Sequence, residues 1–137
     1  MIETYASERK YLAMMKFFKL NNNGLVIPVT HCFTDEISFE GVQEITPNIE
    51  EASKEKHIPI LTVSEQDVTV NVGSVSHPMT EEHSITTVIL ETQNGGQYKY
   101  LPPDGQPIVH FRLTKEEQVV AVYAYCNLHG LWKAEAK

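Results

Sequence analysis

Cysteine is scarce in this chain, which has only Cys32 and Cys126 among its 137 residues. Two cysteines so far apart do not indicate the framework of a small disulfide-rich secreted domain, and there is no Cys-x-x-Cys pair to hold a structural zinc ion. The first ten residues carry acidic groups and no apolar stretch of the kind found in secretory signals. We therefore expect a reduced chain located in the cytoplasm.

Basic residues are also few, with 11 lysines and arginines against 18 acidic residues and a formal net charge of -7. Nucleic acids and anionic membranes bind clusters of positive charge, so neither is expected as a partner. No apolar run approaches the roughly 20 residues that a membrane-spanning helix requires. The hydrophobic fraction of 42% is sufficient for the core of one domain of ordinary size.

The second part of the chain is predicted to be all-β. Runs rich in Val, Ile, Thr and Tyr occur at residues 58–63, 67–72, 84–92, 97–101, 107–113 and 119–126. Turn-forming residues, including two Gly-containing pairs, separate them. Short strands at this spacing predict a sandwich or barrel.

The N-terminal part is predicted to contain both helices and strands. Residues 3–15 contain good helix formers and predict a helix. Residues 16–29 predict a hairpin, because an Asn-Gly pair at 23–24 supplies the positive φ angles of a tight turn. One or two short strands are expected next, around Ile37, Phe39 and Val42. A capped short helix is predicted at 46–52.

A Cys-x-x-His motif, formed by Cys126 and His129, follows the apolar run at 119–125. A thiolate and an imidazole three residues apart at a strand end can hold a metal, and Gly130 lets the chain turn. Further histidines stand at strand ends or in loops upstream, namely His57, His77 and His83.

Four imidazoles and one thiolate predict a transition-metal centre. Five donors suit a square-pyramidal ion with one open position, and iron fits this mixture of nitrogen and sulfur. An open position is typical of catalysis, and a thiolate opposite it pushes electron density toward whatever binds there. His110 lies in the middle of a predicted strand and is interpreted as structural. Trp132 is expected to pack over the metal loop with its indole N–H bonded.

Three strings, in this order, resemble the superoxide reductase family, which includes desulfoferrodoxin and neelaredoxin. They are Glu-Lys-His-x-Pro at 55–59, His-Pro-Met-x-x-x-His at 77–83 and Cys-Asn-x-His-Gly-x-Trp at 126–132. The resemblance covers the chain from about residue 50 to the C-terminus. It implies an immunoglobulin-like β-sandwich that binds one non-haem iron.

The resemblance also implies roles for single residues. The implied iron ligands are His57, His77, His83 and His129 in equatorial positions and Cys126 in the axial one. Glu55 would be the carboxylate that caps the vacant position in the oxidised state, and Lys56 would be the cation beside the substrate. The implied reaction is the one-electron reduction of superoxide to hydrogen peroxide. The electron would come from an external donor such as a rubredoxin. We expect a homodimer.

The N-terminal part departs from the longer family members. These carry a desulforedoxin-like domain whose four cysteines bind a second iron, but Leu20 and Asn23 stand where its first two cysteines are expected. Cys32, beside His31, cannot rebuild that site alone and is interpreted as a buried apolar residue. The predicted division is an N-terminal extension at 1–14, a metal-free remnant at 15–48 and an iron-binding sandwich at 49–137.

Two other classes of protein stay open at this point. A cupredoxin, a copper electron carrier, also has a Cys-x-x-His loop, but it usually adds a methionine where Leu131 and Trp132 stand here. A metal-free sandwich would serve as an interaction module, and iron would then change neither its stability nor its colour. Metal analysis separates these alternatives.

Overall fold

A computed structural model of the protein describes residues 13–29 and 41–136. Within these residues the chain forms ten strands and one helix of four residues. In chain order they are β1 (Phe17–Leu20), β2 (Leu25–Val26), β3 (Val42–Ile45), α1 (Lys54–His57), β4 (Pro59–Ser64), β5 (Asp67–Val72), β6 (Ile85–Thr92), β7 (Gly95–Tyr100), β8 (Ile108–Arg112), β9 (Val119–Cys126) and β10 (Gly130–Glu135).

Two antiparallel sheets face each other to form a sandwich. One has the strand order β10-β9-β6-β7 and the other the order β4-β5-β8. Alternate residues of β5, namely Val68, Val70 and Val72, are fully buried and meet Val88 and Leu90 of β6 in the core. Removing these side chains from water is the main favourable term in folding. The predicted immunoglobulin-like sandwich is confirmed.

Strand β9 is covered on both faces because a third sheet, β2-β1-β3, packs on the outside of the sheet that contains it. Val122 and Ala124 belong to the sandwich core, whereas Tyr123 and Tyr125 pack with Phe17 of β1. The rings of Phe17 and Tyr123 are 4.5 Å apart. A strand buried on both sides needs no polar residues in alternation, which explains its unbroken apolar sequence.

The carboxylate of Glu91 in β6 holds the start of the described chain. Its Oε2 accepts hydrogen bonds from the backbone N–H groups of Met14 (2.7 Å) and Met15 (3.1 Å), and its Oε1 accepts one from the Tyr123 hydroxyl (2.7 Å). A carboxylate that is 4% exposed requires such bonds. The helix predicted at 3–15 lies mostly outside the described residues. Where it is described, the chain is not helical, because these N–H groups bond to Glu91.

The predicted N-terminal hairpin is confirmed. Phe18 lies opposite Val26 and Lys19 lies opposite Leu25, and Asn23 in the turn has a φ of 69°. The strand expected near Val42 is present as β3. Ile37 and Phe39, like His31 and Cys32, lie outside the described residues. The interpretation of Cys32 and the division of the chain at residues 14 and 48 therefore stay predictions.

The short helix predicted at 46–52 is wrong. Asn48 stands there in a turn with a φ of 66°, and the helix begins later, at Lys54. Asn48 bonds to the outer edge of β10: its Oδ1 accepts the N–H of Lys133 at 2.7 Å, its Nδ2 donates to the oxygen of Lys133 at 3.1 Å, and its N–H donates to Leu131 at 2.9 Å. These bonds cover the edge of a distant strand, and a local capping pattern does not contain that information.

Strand β10 was not predicted, since the last expected strand ended at Cys126. Gly130 has a φ of 77° and lies opposite Cys126, so residues 127–129 form a three-residue hairpin loop. The Cys-x-x-His motif is therefore part of a hairpin that is fixed by strands on both sides. Among the described residues, no helix has the length and hydropathy needed to cross a lipid bilayer.

Candidate metal centre

His57 is the last residue of α1 and is buried, with 3% of its surface exposed. Its Nδ1 lies 2.7 Å from the backbone oxygen of Ser53. Because a carbonyl oxygen only accepts hydrogen bonds, we assign the ring proton to Nδ1. The Nε2 atom then carries a lone pair that faces the other histidines.

Gly73 allows α1 to lie against the loop that follows β5. A Cβ atom on Gly73 would lie 2.5 Å from the backbone oxygen of Glu55 and 2.9 Å from that of Ile58. The same Glu55 oxygen accepts a hydrogen bond from the N–H of Val75 at 3.0 Å. This close approach fixes α1, and His57 with it, relative to the sandwich.

His77 and His83 lie in the loop that joins β5 to β6. His77 is 2% exposed, and its Nδ1 donates to the backbone oxygen of Pro78 at 2.6 Å, which leaves a lone pair on Nε2. His83 is half-buried. Its Nε2 is buried and has no hydrogen-bond partner among the described residues. Unpaired buried polar atoms are rare in proteins and call for an explanation such as a bound ion.

The hairpin between β9 and β10 brings Cys126 and His129 together. Cys126 is fully buried, and its Sγ lies 3.9 Å from Nδ1 of His129. Trp132 donates its indole N–H to the backbone oxygen of His129 at 3.0 Å, and its ring lies 4.9 Å from the ring of His57. Trp132 therefore covers the site as expected, with its polar atom paired.

The five predicted ligands converge at one end of the sandwich. The donor atoms of His57, His83, Cys126 and His129 all lie within 4.8 Å of one another. His77 adjoins them, with its Nε2 3.2 Å from Nε2 of His57 and 3.5 Å from Sγ of Cys126. Two nitrogens bound at right angles to one ion, each about 2.1 Å from it, are about 3 Å apart. The observed spacing is of that size.

The contact between His57 and His77 supports a metal ion over a hydrogen-bonded histidine cluster. Both rings carry their proton on Nδ1, so two lone pairs face each other across 3.2 Å. This arrangement is repulsive unless a cation lies between them. The facing lone pairs and the unpaired Nε2 of His83 together show that the donor set fits a metal ion. A set of imidazole nitrogens with a thiolate sulfur suits iron.

Comparisons with known proteins agree with this geometry. The family model described as desulfoferrodoxin matches residues 49–135. The chain belongs to the desulfoferrodoxin family. Desulfoferrodoxin from Clostridium acetobutylicum is 42% identical over 96 residues, which cover 70% of this chain and 74% of that protein. Desulfoferrodoxin from Nitratidesulfovibrio vulgaris is 34% identical over 123 residues, which cover 88% of this chain and 96% of that protein.

A solved structure is also similar. The crystal structure of the superoxide reductase from Treponema pallidum matches with a TM-score of 0.73 and 40% identity, over 90% of this chain and 100% of that one. The superoxide reductase from Pyrococcus horikoshii is 32% identical over 101 residues, which cover 61% of this chain and 87% of that protein. The resemblance found in the three motif strings is therefore confirmed.

Burial disfavours the charged form of three of the imidazoles at this desulfoferrodoxin-family site. It lowers the pKa of His77 from 6.5 to about 4, and it lowers the pKa of His57 and of His83. The neutral ring is the form that binds a metal. Burial also raises the pKa of the Cys126 thiol, while backbone hydrogen bonds within the hairpin loop oppose the rise. A bound cation favours the thiolate over the thiol.

Glu55 and Lys56 are exposed on α1. Burial is the largest cause of the lowered pKa values of His57 and His83, and the positive charge of Lys56 adds a smaller contribution to both. The Lys56 ammonium group therefore lies within electrostatic range of both rings. The Glu55 carboxylate forms no ion pair within the described part of the chain. The catalytic roles of these two residues stay predictions.

His110 is exposed in β8, where its Nδ1 lies 3.1 Å from the Thr69 hydroxyl oxygen. This cross-strand contact agrees with the interpretation of His110 as structural.

Sequence reasoning missed two residues that shape the site. Gly73 directly follows a strand, which is a signal for close backbone approach, but the sequence does not say what approaches. Asn127 lies inside the Cys-x-x-His motif and bonds to the loop that carries His83. Its position in the motif was the only signal.

Proposed function

We propose that this protein is a superoxide reductase. The proposed iron ligands are His57, His77, His83, His129 and Cys126. The observation that carries the proposal is the convergence of these donors, with two imidazole lone pairs facing each other across 3.2 Å. Members of the same family are named superoxide reductases. An iron ion bound there would supply one electron to superoxide, which takes up two protons to give hydrogen peroxide.

The burial of the donors indicates the side from which a substrate enters. Cys126, His57 and His77 are buried on the inner side of the cluster, and Cys126 belongs to the sandwich core. His83 and His129 are half-buried. The open side of a bound ion would therefore lie away from the buried sulfur, beside the half-buried histidines.

Superoxide is an anion, and a net charge of -7 repels it at long range. Imidazole ligands carry no negative charge, so they would not cancel the charge of a bound cation, and Lys56 adds a further positive charge. A cation about 6 Å from the anion, at an effective dielectric constant of about 20, contributes roughly 2–3 kcal/mol before screening by salt. We assign to Lys56 the attraction of the substrate, and to the Glu55 carboxylate the capping of the open side in the oxidised state.

The remaining parts of the proposal concern partners. The electron must come from an external donor, and the family resemblance implies a rubredoxin-type protein. A homodimer and a location in the cytoplasm also stay predictions.

The copper-carrier alternative is not favoured. The site gathers four imidazoles beside the thiolate, the family match is to desulfoferrodoxin, and a buried Trp132 occupies the stretch in which a copper site has its methionine. A metal-free interaction module would leave the facing lone pairs of His57 and His77 without a purpose.

The test combines metal analysis with reaction stoichiometry. Protein purified under reducing conditions should contain one iron per chain and should consume superoxide in a stopped-flow assay. A reductase forms one peroxide for each superoxide and releases no dioxygen, whereas a dismutase forms one peroxide and one dioxygen from two superoxides. Copper in place of iron, or dioxygen release with half the peroxide, would contradict the proposal.

A further inference from the structure

Asn127 joins the two loops that carry the proposed ligands. Its Oδ1 accepts a hydrogen bond from the N–H of Ser84 at 2.9 Å, and its Nδ2 donates to the backbone oxygen of Glu82 at 2.8 Å. Its own N–H donates to the oxygen of Ser84 at 3.2 Å. The two residues that it contacts are the immediate neighbours of His83 in the sequence.

In the part of the chain that the structure describes, His83 lacks the hydrogen bond from a ring nitrogen to a backbone oxygen that holds two of the other histidines. His57 is held through Nδ1 by the oxygen of Ser53, and His77 is held in the same way by Pro78. Within the described residues no hydrogen bond reaches the ring of His83, and its Nε2 is buried and unpaired. The position of this ring therefore depends on the position of its backbone.

Two side chains hold that backbone. Thr80 accepts the N–H of His83 through Oγ1 at 3.0 Å and donates its own N–H to the oxygen of His83 at 2.9 Å. These bonds close a turn within one loop. Asn127 is different, because it ties the loop to the strand that ends at Cys126. A side-chain amide has both a donor and an acceptor, so it can pair with an N–H and a C=O as a peptide group does.

We propose that Asn127 is a positioning residue that holds His83 at the metal by fixing the backbone on both sides of it. The inference rests on the proposed metal centre and does not depend on the reaction with superoxide. Groups that orient a ligand without touching the metal typically change metal affinity about 10–100-fold. The same effect is expected here.

The test is a double-mutant cycle read out by Co(II) binding, with a competing chelator to set the free metal concentration. Asn127→Ala should weaken Co(II) binding about 10–100-fold. Because Asn127 acts through His83, the variant with both Asn127→Ala and His83→Ala should bind no more weakly than His83→Ala alone. The Co(II) absorption spectrum of Asn127→Ala should also shift toward that of His83→Ala.

Asn48→Ala is the matched control. Asn48 also pairs its side-chain amide with one backbone N–H and one C=O, but at the edge of β10. Its positive φ of 66° makes alanine more costly there. Asn48→Ala should therefore destabilise the fold at least as much as Asn127→Ala and leave Co(II) affinity unchanged.

Each outcome is decisive. Equal Co(II) affinity in Asn127→Ala and the wild type, or an equal loss in Asn48→Ala, would overturn the positioning role. Additive losses in the double variant would show that Asn127 does not act through His83. If wild-type protein binds no Co(II), the proposed centre and this inference fail together. Should Asn127→Ala not fold, Asn127→Ser takes its place in the same comparison.

Discussion

Replacement of Gly73 by alanine tests whether the position of α1 determines metal binding. The new Cβ would lie 2.5 Å from the backbone oxygen of Glu55, 2.9 Å from that of Ile58 and 3.0 Å from the carbonyl carbon of Lys56. All three are backbone atoms of one segment, so no side chain can rotate away. Ordinary van der Waals contact begins at 3.4 Å, so the segment must move by up to about 0.9 Å.

A movement of this size is large for a metal ligand. Distances in a metal site are held to within about 0.2 Å, and His57 lies at the end of the displaced segment. We expect metal affinity to fall about 10–100-fold, as it does when groups that orient ligands are lost. The crowding itself should lower the free energy of unfolding by about 1–3 kcal/mol.

Co(II) titration and urea unfolding of the metal-free protein measure the two effects separately. Gly95→Ala is the control, because a Cβ atom on Gly95 would meet nothing within 4 Å. It should bind Co(II) as the wild type does and should change the free energy of unfolding by less than about 0.5 kcal/mol. If Gly73→Ala behaves like Gly95→Ala, the contact with α1 does not control the site and the reasoning is refuted.

Three further predictions concern charge, colour and pH. Lys56→Ala should slow superoxide consumption about tenfold at low salt and less at high salt, with the iron spectrum unchanged. The control variant Lys54→Ala should consume superoxide at the wild-type rate. Equal rates for Lys56→Ala and the wild type at low salt would exclude attraction of the substrate by Lys56. Cys126→Ser should abolish the sulfur-to-iron charge-transfer colour of the oxidised, iron-loaded protein, and retained colour would mean that another residue provides the sulfur. Burial lowers the pKa of His77 from 6.5 to about 4 in the folded chain. As the pH falls from 6.5 to 4, the unfolded metal-free chain is therefore protonated at His77 before the folded chain is. The free energy of unfolding, measured with urea, should decrease over this range by about 2–3 kcal/mol because of this group. The decrease should be shallower in His77→Gln, and an unchanged slope would contradict the assignment.

The sequence was sufficient where the information is local. Alternation along β5 and the Asn-Gly turn of the first hairpin depend on neighbouring residues, so both were predicted correctly. The unbroken apolar run of β9 indicated a buried strand but not what covers its second face, which is the small N-terminal sheet. The predicted helix at 46–52 failed because Asn48 bonds to β10, a strand about 85 positions further along the chain.

For the metal centre, the sequence by itself determined which side chains have the chemistry of ligands, because residue type fixes the donor atom. It could not show that these atoms meet, since they lie on three separate segments of the chain. Only the tertiary structure decided that they do. It packs α1 against Gly73, pairs β9 with β10 and ties the His83 loop to Asn127. The contacts of Gly73 and of Asn127 join segments that are distant in sequence, so a local sequence pattern does not contain them.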